Sequence, residues 1–360
     1  MKIRANPSLC AHKPVTHGGL SSQNLRNSKI LDFSSNVSPI NISRSVTNSV
    51  SRQIKKIHNY PDIHSSNLLS ALEKYTKIPK TNLVVGNGAI EILYNFCNAY
   101  IANNTPVLIP IPTFEEYNVA SKLYGSKVQY FKTMNLSKDL NKFLLKIPKK
   151  GCVFLCNPNN PTGQLLSKTN LLEIVYQCKQ KNSLVFVDEC FIELVPESNE
   201  TIISYVKKFD HLLVLRSLTK SFGLAGARIG YAASSKQIVE ILKKIKIPWS
   251  VNTIAESAAI SALNNLSYIA KSNLLIKKEY VFLKNEINKI NGFECLDSKT
   301  NFILIQTKQD STKIQKKLLK KNILIRDCKN FHGLTNHFIR IAVKSHEENS
   351  KLVKALETIK

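Results

Sequence analysis

No stretch of this sequence approaches the ~18 consecutive apolar residues that a membrane-spanning helix needs, so no membrane partner is expected. The segment from Met1 to Gly19 has no apolar core of the kind that marks a secretory leader, and a cytoplasmic location is the expectation. Cysteine never occurs as C-x-x-C: the eight residues stand at 10, 97, 152, 156, 178, 190, 295 and 328. That spacing excludes zinc-ribbon and thioredoxin motifs, and no metal site is expected. Cys152 and Cys156 lie in an apolar run, where a thiol serves as a small hydrophobe. At 360 residues the chain can bury a core without a disulfide scaffold, which fits a reducing compartment. No repeat with a period of roughly 20–50 residues interrupts it, and no low-complexity tract or long linker.

Acidic residues are scarce too. Lys and Arg number 51 against 25 Asp and Glu, a formal net charge of +26. Such an excess attracts polyanions. The lysines are scattered, however, singly or in pairs such as Lys243 and Lys244. The densest stretch has Lys313, Lys316, Lys317, Lys320 and Lys321 on one helical face and Ile314 and Leu318 on another, the pattern of a solvated amphipathic helix. No basic block alternates with aromatics, and no zinc-finger, basic-zipper or RNA-recognition signature occurs, so no nucleic-acid partner is expected.

What is present is a rhythm. Short apolar runs occur at Leu83–Val85, Val107–Ile109, Cys152–Leu155, Leu184–Val187, Leu212–Leu215 and Ile229–Ala232, separated by helix-length amphipathic segments. This predicts an α/β fold with a mostly parallel sheet flanked by helices. After about residue 250 the pattern turns to long helical stretches and strands at Phe302–Ile305, Ile323–Ile325 and Phe338–Val343, predicting a smaller α+β domain. The expected division is an N-terminal arm over 1–45 packing with the small domain, a large domain over 46–250 and a small domain over 251–360. Polar or Gly-rich loops follow five of the runs: Gly86-Asn87-Gly88, Pro112-Thr113-Phe114, Asn157 to Gly163, Asp188-Glu189, and Arg216 to Lys220. Ligands of open α/β sheets bind at the carboxyl ends of strands, so these loops are expected to converge on one site.

The most specific string is Ser217-Leu218-Thr219-Lys220-Ser221-Phe222-Gly223-Leu224-Ala225-Gly226-Ala227-Arg228-Ile229-Gly230. A lysine just past a strand, flanked by hydroxyls and followed eight residues on by an arginine, resembles the attachment motif of class I and II aminotransferases, enzymes of the fold-type I pyridoxal-phosphate group. The resemblance implies that Lys220 attaches to the aldehyde of pyridoxal 5'-phosphate and that Arg228, with Ser217 and Thr219, holds its phosphate. It implies that Gly88, Ala89 and Ile90 cradle the same phosphate with backbone N–H groups at the start of a helix over Glu91–Ile101. Phe114 would stack on the pyridine ring; read alone it is equally a core aromatic. Asp188 would pair with the pyridine nitrogen and Asn160 with the ring oxygen. Tyr60, in Asn59-Tyr60-Pro61-Asp62, resembles the tyrosine that reaches the phosphate from a neighbouring subunit, which implies a homodimer.

One position departs from the aminotransferase pattern. Where those enzymes have a tyrosine three residues after the aspartate, this chain has Phe191. That feature resembles threonine-phosphate decarboxylases of the cobalamin pathway, as do His17-Gly18-Gly19, Asp32-Phe33-Ser34-Ser35-Asn36 and Phe114-Glu115-Glu116-Tyr117. So do the segments Ile325 to Leu334 and Phe338 to Val343. The resemblance implies decarboxylation of L-threonine O-3-phosphate, with Arg340 on the carboxylate, Arg326 on the phosphate, and His17 and Asn36 beside them. Read alone, His17 and Asn36 are also turn-formers and Arg340 a surface ion pair. Histidinol-phosphate aminotransferases share much of the C-terminal pattern and are the alternative. A pyridoxal-phosphate-binding DNA regulator is the alternative from another class; only 16 residues precede His17, too few for a helix-turn-helix domain.

Overall fold

The computed structural model describes residues 14–20, 25 and 29–359. Cys10 and most of the residues before His17 therefore lie outside the described residues. In chain order the strands are β1 (Leu31–Asp32), β2 (Leu83–Asn87), β3 (Pro106–Ile111), β4 (Lys127–Lys132), β5 (Cys152–Cys156), β6 (Leu184–Asp188), β7 (Leu212–Ser217), β8 (Ile229–Ser234), β9 (Phe293–Cys295), β10 (Phe302–Thr307), β11 (Ile323–Leu324), β12 (Arg326–Asp327) and β13 (Phe338–Ala342).

The large sheet has the order β2-β8-β7-β6-β5-β3-β4. Pairings among β3, β4, β5, β6 and β7 are parallel, while β8 runs antiparallel to both β7 and β2. Helices cover both faces, so β5, β7 and β8 are buried along their whole length. Alternate residues feed two cores. Val153, Leu155, Val185, Val187, Leu212 and Val214 point to one, and Phe154, Phe186, Leu213 and Leu215 to the other. Helix Lys168–Gln180 shows the matching helical rule: Ser167 caps it, and Leu171, Ile174, Val175 and Cys178 form its buried stripe. The first core runs past residue 250, where the sequence suggests the division. Helix Thr253–Leu263 contributes Ala255, Ala258, Ala259, Ala262 and Leu263 to it, alongside Leu68, Leu69 and Leu72.

The second sheet, β12-β13-β10-β9, is antiparallel, and β1 pairs in parallel with β11. A separate core of Phe33, Leu283, Ile303, Ile305, Ile339 and Leu352 lies beneath. The single strand expected at Ile323–Ile325 is in fact two: Ile323–Leu324 pairs with β1, and Arg326–Asp327 pairs with β13. The lysines at 313, 316, 317, 320 and 321 are exposed around helix Ser311–Leu319, with Ile314 and Leu318 buried. No helix among the described residues is long and apolar enough to cross a membrane.

Candidate active site

Topology alone gathers the loops. β2, β3, β5, β6 and β7 share a direction, so their carboxyl ends lie along one edge of the sheet. β8 runs the other way, and its first residues reach that same edge: Ile229 is opposite Asn87, and Gly230 is opposite Ser217. The reversal carries Arg228 to the ends of its neighbours. A cavity of about 670 Å³ opens there, a size that suits a small-molecule site. Its lining includes Ala89, Ile90, Phe114, Asn160, Asp188, Ser217, Thr219, Lys220 and Arg228 from the large sheet. His17, Asn36, Arg326 and Arg340 line it from the other side, with Phe191 in the wall.

Two of the residues singled out in the sequence do not line the cavity. Gly88 lies just behind it. A side-chain carbon at Gly88 would stand 2.5 Å from Nη2 of Arg228, and the residue has φ +77°. Only glycine lets the guanidinium lie across this turn. Tyr60 is not brought to the cavity by its own chain: it is 84% exposed, with its ring 5.2 Å from that of Trp249.

The helix expected from Glu91 begins two residues earlier, at Ala89, with Gly88 in the capping position. No side chain caps it, so its first N–H groups are open to an anion. Ser217 caps the short helix Leu218–Ser221, its Oγ accepting from the N–H of Thr219 at 3.2 Å. The hydroxyl hydrogen of Ser217 is left to donate elsewhere. Arg228 sits in the left-handed region with φ +59° and donates to the Ala225 carbonyl at 3.2 Å. A β-substituted residue held there is strained and needs surrounding structure to hold it.

Charge in the cavity is unbalanced. Lys220, Arg228, Arg326 and Arg340 line it against Asp188 and Glu115. Burial first, and then the nearby Arg340 charge, bring the Lys220 amine down to about 8. Burial likewise brings Arg340 down to about 10. Asp188 moves the other way: burial raises its carboxyl, opposed by hydrogen bonds from the Cys190 N–H at 2.8 Å and the Tyr117 hydroxyl at 2.6 Å.

The two cavity arginines of the second sheet are direct cross-strand partners, Arg326 on β12 opposite Arg340 on β13. Their side chains therefore share one face, with Cα atoms about 5 Å apart. Arg340 donates through Nη1 to Asn160 Oδ1 and through Nη2 to the Ser34 carbonyl at 2.9 Å. Its Nε is buried and has no partner, and neither has Oδ1 of Asn36. Arg326 donates to the Thr16 carbonyl at 2.6 Å. His17 Nε2 lies 2.8 Å from Glu116 Oε1, and its ring centroid is 6.1 Å from that of Phe114. Phe191 packs edge-on to Phe302 at 5.1 Å and brings no hydroxyl to the site.

Sequence reasoning gave no role to Tyr117, Cys190 or Glu116. Tyr117 stands three residues after Phe114, across the first turn of helix Glu116–Leu123, and that spacing was the only signal available. The donor set fits a planar cofactor bearing a phosphate: an open helix N-terminus beside an arginine, a buried carboxylate, a lysine of lowered proton affinity, and unsatisfied buried polar atoms on the facing wall.

Comparison with known proteins agrees with that chemistry. Residues 28–356 match the model of the family described as aminotransferase class I and II. Histidinol-phosphate aminotransferase of Methanococcus aeolicus is 32% identical over 93% of this chain and 91% of its own length. A protein of Caldanaerobacter subterraneus provisionally named threonine-phosphate decarboxylase is 35% identical over 83% of each chain. The structure of L-threonine-O-3-phosphate decarboxylase from Porphyromonas gingivalis superposes with TM-score 0.83 at 26% identity, covering 91% of this chain and 98% of the other. With the family model matched over nearly the whole chain, this protein belongs to the class I and II aminotransferases, pyridoxal-phosphate-dependent enzymes of fold type I.

Proposed function

We propose that this enzyme decarboxylates L-threonine O-3-phosphate, releasing CO₂ and (R)-1-aminopropan-2-yl phosphate, a cobalamin precursor. The observation that carries the reading is the cross-strand pair of Arg326 and Arg340 facing the same cavity as Lys220. Threonine phosphate bears a carboxylate and a phosphate on adjacent carbons, one anion for each guanidinium. Histidinol phosphate bears only one.

When bound, pyridoxal phosphate supplies an electron sink for a bond broken at the substrate's α-carbon. Lys220 is the attachment point, and its amine displaced by the substrate can return a proton to that carbon. Asp188 holds the pyridine nitrogen, and Phe114 covers the ring. Asn160, whose Oδ1 is engaged by Arg340, has its amide N–H left for the ring oxygen. Arg228, Ser217, Thr219 and the N–H groups of Gly88, Ala89 and Ile90 take the cofactor phosphate. With Phe191 lacking a phenol, Asn160 alone serves the ring oxygen. Arg340 takes the substrate carboxylate and Arg326 its phosphate, with Asn36 and His17 beside them. Held at amine, carboxylate and phosphate, the substrate cannot turn about its nitrogen–carbon bond. That rotation decides whether the carboxylate or the α-proton leaves.

In this reading the enzyme is a homodimer in which Tyr60 reaches the partner's cofactor phosphate. Its exposure beside Ile57, Ile63, Ile247 and Trp249, all exposed, supports a covered face.

The similarity to the M. aeolicus protein favours a second reading, histidinol-phosphate aminotransferase. Two incubations separate them. Threonine phosphate alone should yield CO₂, and histidinol phosphate with 2-oxoglutarate should yield no glutamate. Glutamate formation without CO₂ release overturns the proposal.

The lowered proton affinity of Lys220 has its own consequence. Only the neutral amine attacks an aldehyde, and the neutral fraction grows as pH rises through about 8. The rate at which the apoprotein captures pyridoxal phosphate, followed by absorbance, should therefore rise with pH and level off above about 8. A profile still climbing towards ~10.4, the value of an ordinary lysine, contradicts this.

A further inference from the structure

Tyr117 has no part in the roles above, yet its hydroxyl is bound directly to the carboxylate of Asp188, at 2.6 Å on Oδ2. The side chain is fully buried, its ring stacked on Phe154 at 5.7 Å and edge-on to Phe114 at 5.6 Å. Phe186 lies 6.4 Å away. Surroundings so aromatic would accept phenylalanine without loss, and a buried hydroxyl there is unfavourable unless it is bonded. Asp188 is the partner that accepts it. The other carboxylate oxygen, Oδ1, accepts from the Cys190 N–H. Burial, and then the Asp188 charge, hold the phenol's proton on its oxygen, so Tyr117 can only donate to the carboxylate.

We propose that Tyr117 is a positioning residue that stabilises ionised Asp188 and thereby keeps the shared proton on the cofactor's ring nitrogen; this rests on the reading that Asp188 pairs with that nitrogen. The proton balance is simple. Carboxylate and protonated ring share one hydrogen. Removing a donor from the carboxylate makes its oxygen more basic, and the hydrogen shifts from nitrogen to oxygen with no change in total charge. A ring that loses its proton is a weaker electron sink.

The test uses the holoenzyme loaded with cofactor carrying ¹⁵N at the ring nitrogen, whose chemical shift reports protonation. Wild type, Tyr117→Phe and Asp188→Asn are compared, with thermal melts as a check on folding. Wild type should show a protonated ring, Asp188→Asn an unprotonated one, and Tyr117→Phe a resonance displaced towards the unprotonated value. The kcat of Tyr117→Phe should fall on the order of ten- to a hundredfold, the worth of a hydrogen bond to a charged group, with KM little changed. A resonance in Tyr117→Phe identical to wild type, with Asp188→Asn displaced, overturns the proposal and leaves the Asp188 reading standing. An undisplaced resonance in Asp188→Asn overturns that reading and the proposal with it. A merely structural role for Tyr117 would lower the melting temperature without moving the nitrogen signal.

Discussion

Lys220→Ala should abolish turnover and remove the absorbance band of covalently held cofactor while the protein stays folded. Lys220 is held on a one-turn helix that Ser217 caps, and its amine forms no ion pair among the described residues. Removing it therefore breaks no ion pair among the described residues, and it also removes a cation that burial disfavours. Loss of a covalent catalytic group costs at least ~10³-fold in rate. The sign of the stability change follows from the lowered proton affinity. Burial disfavours the charged amine at every pH below about 8, and this cost fades as pH rises through the interval up to the unfolded value. At neutral pH the variant apoprotein should thus melt at the same temperature as the wild-type apoprotein or higher. Retained turnover with an intact absorbance band would falsify the assignment of Lys220.

Arg340→Met should lower kcat/KM for threonine phosphate by roughly 10²–10³-fold, the worth of a buried charge-assisted pair with a carboxylate. Burial brings the guanidinium down only to about 10, so Arg340 is a cation throughout the neutral range, unfavourable in the free protein and matched when an anion binds. Its hydrogen bonds to Asn160 and Ser34 leave the buried Nε unpaired. Saturating threonine phosphate should raise the melting temperature of the wild type and do so much less in Arg340→Met. A variant with unimpaired kcat/KM, or with an undiminished thermal shift, shows that the carboxylate is held elsewhere.

How much of this could be seen beforehand depends on what each feature consists of. Strand ends and the lysine string are local, and β2, β3, β5, β6, β7 and β8 all form where apolar runs stand. β4 gave no such run: Lys127–Lys132 is an edge strand of exposed and half-buried residues with none fully buried. Helix Thr253–Leu263 buries a stripe made mostly of alanine, Ala255, Ala258, Ala259 and Ala262, while the larger Ile254 and Ile260 stand outside it, so its apolar pattern does not betray which core it joins. Arg326 and Arg340 were each readable, but their pairing arises from the register of two strands and from the break at Ile325. The Tyr117–Asp188 bond spans 71 residues of sequence, and neither residue's neighbours announce it. Tyr60 faces outward beside Trp249, and its proposed place at a partner's site was legible only through the family resemblance.

The most direct measurement is a reaction with threonine phosphate in heavy water, read by NMR. If the three anchors select the carboxylate bond, CO₂ leaves and one deuteron takes its place, so each aminopropanol phosphate formed carries a single deuterium on the former α-carbon. Unreacted substrate recovered from the same tube carries none there. Recovered substrate deuterated at its α-carbon, with no CO₂ released, would mean that the α-proton is the group removed and that the site works as an aminotransferase.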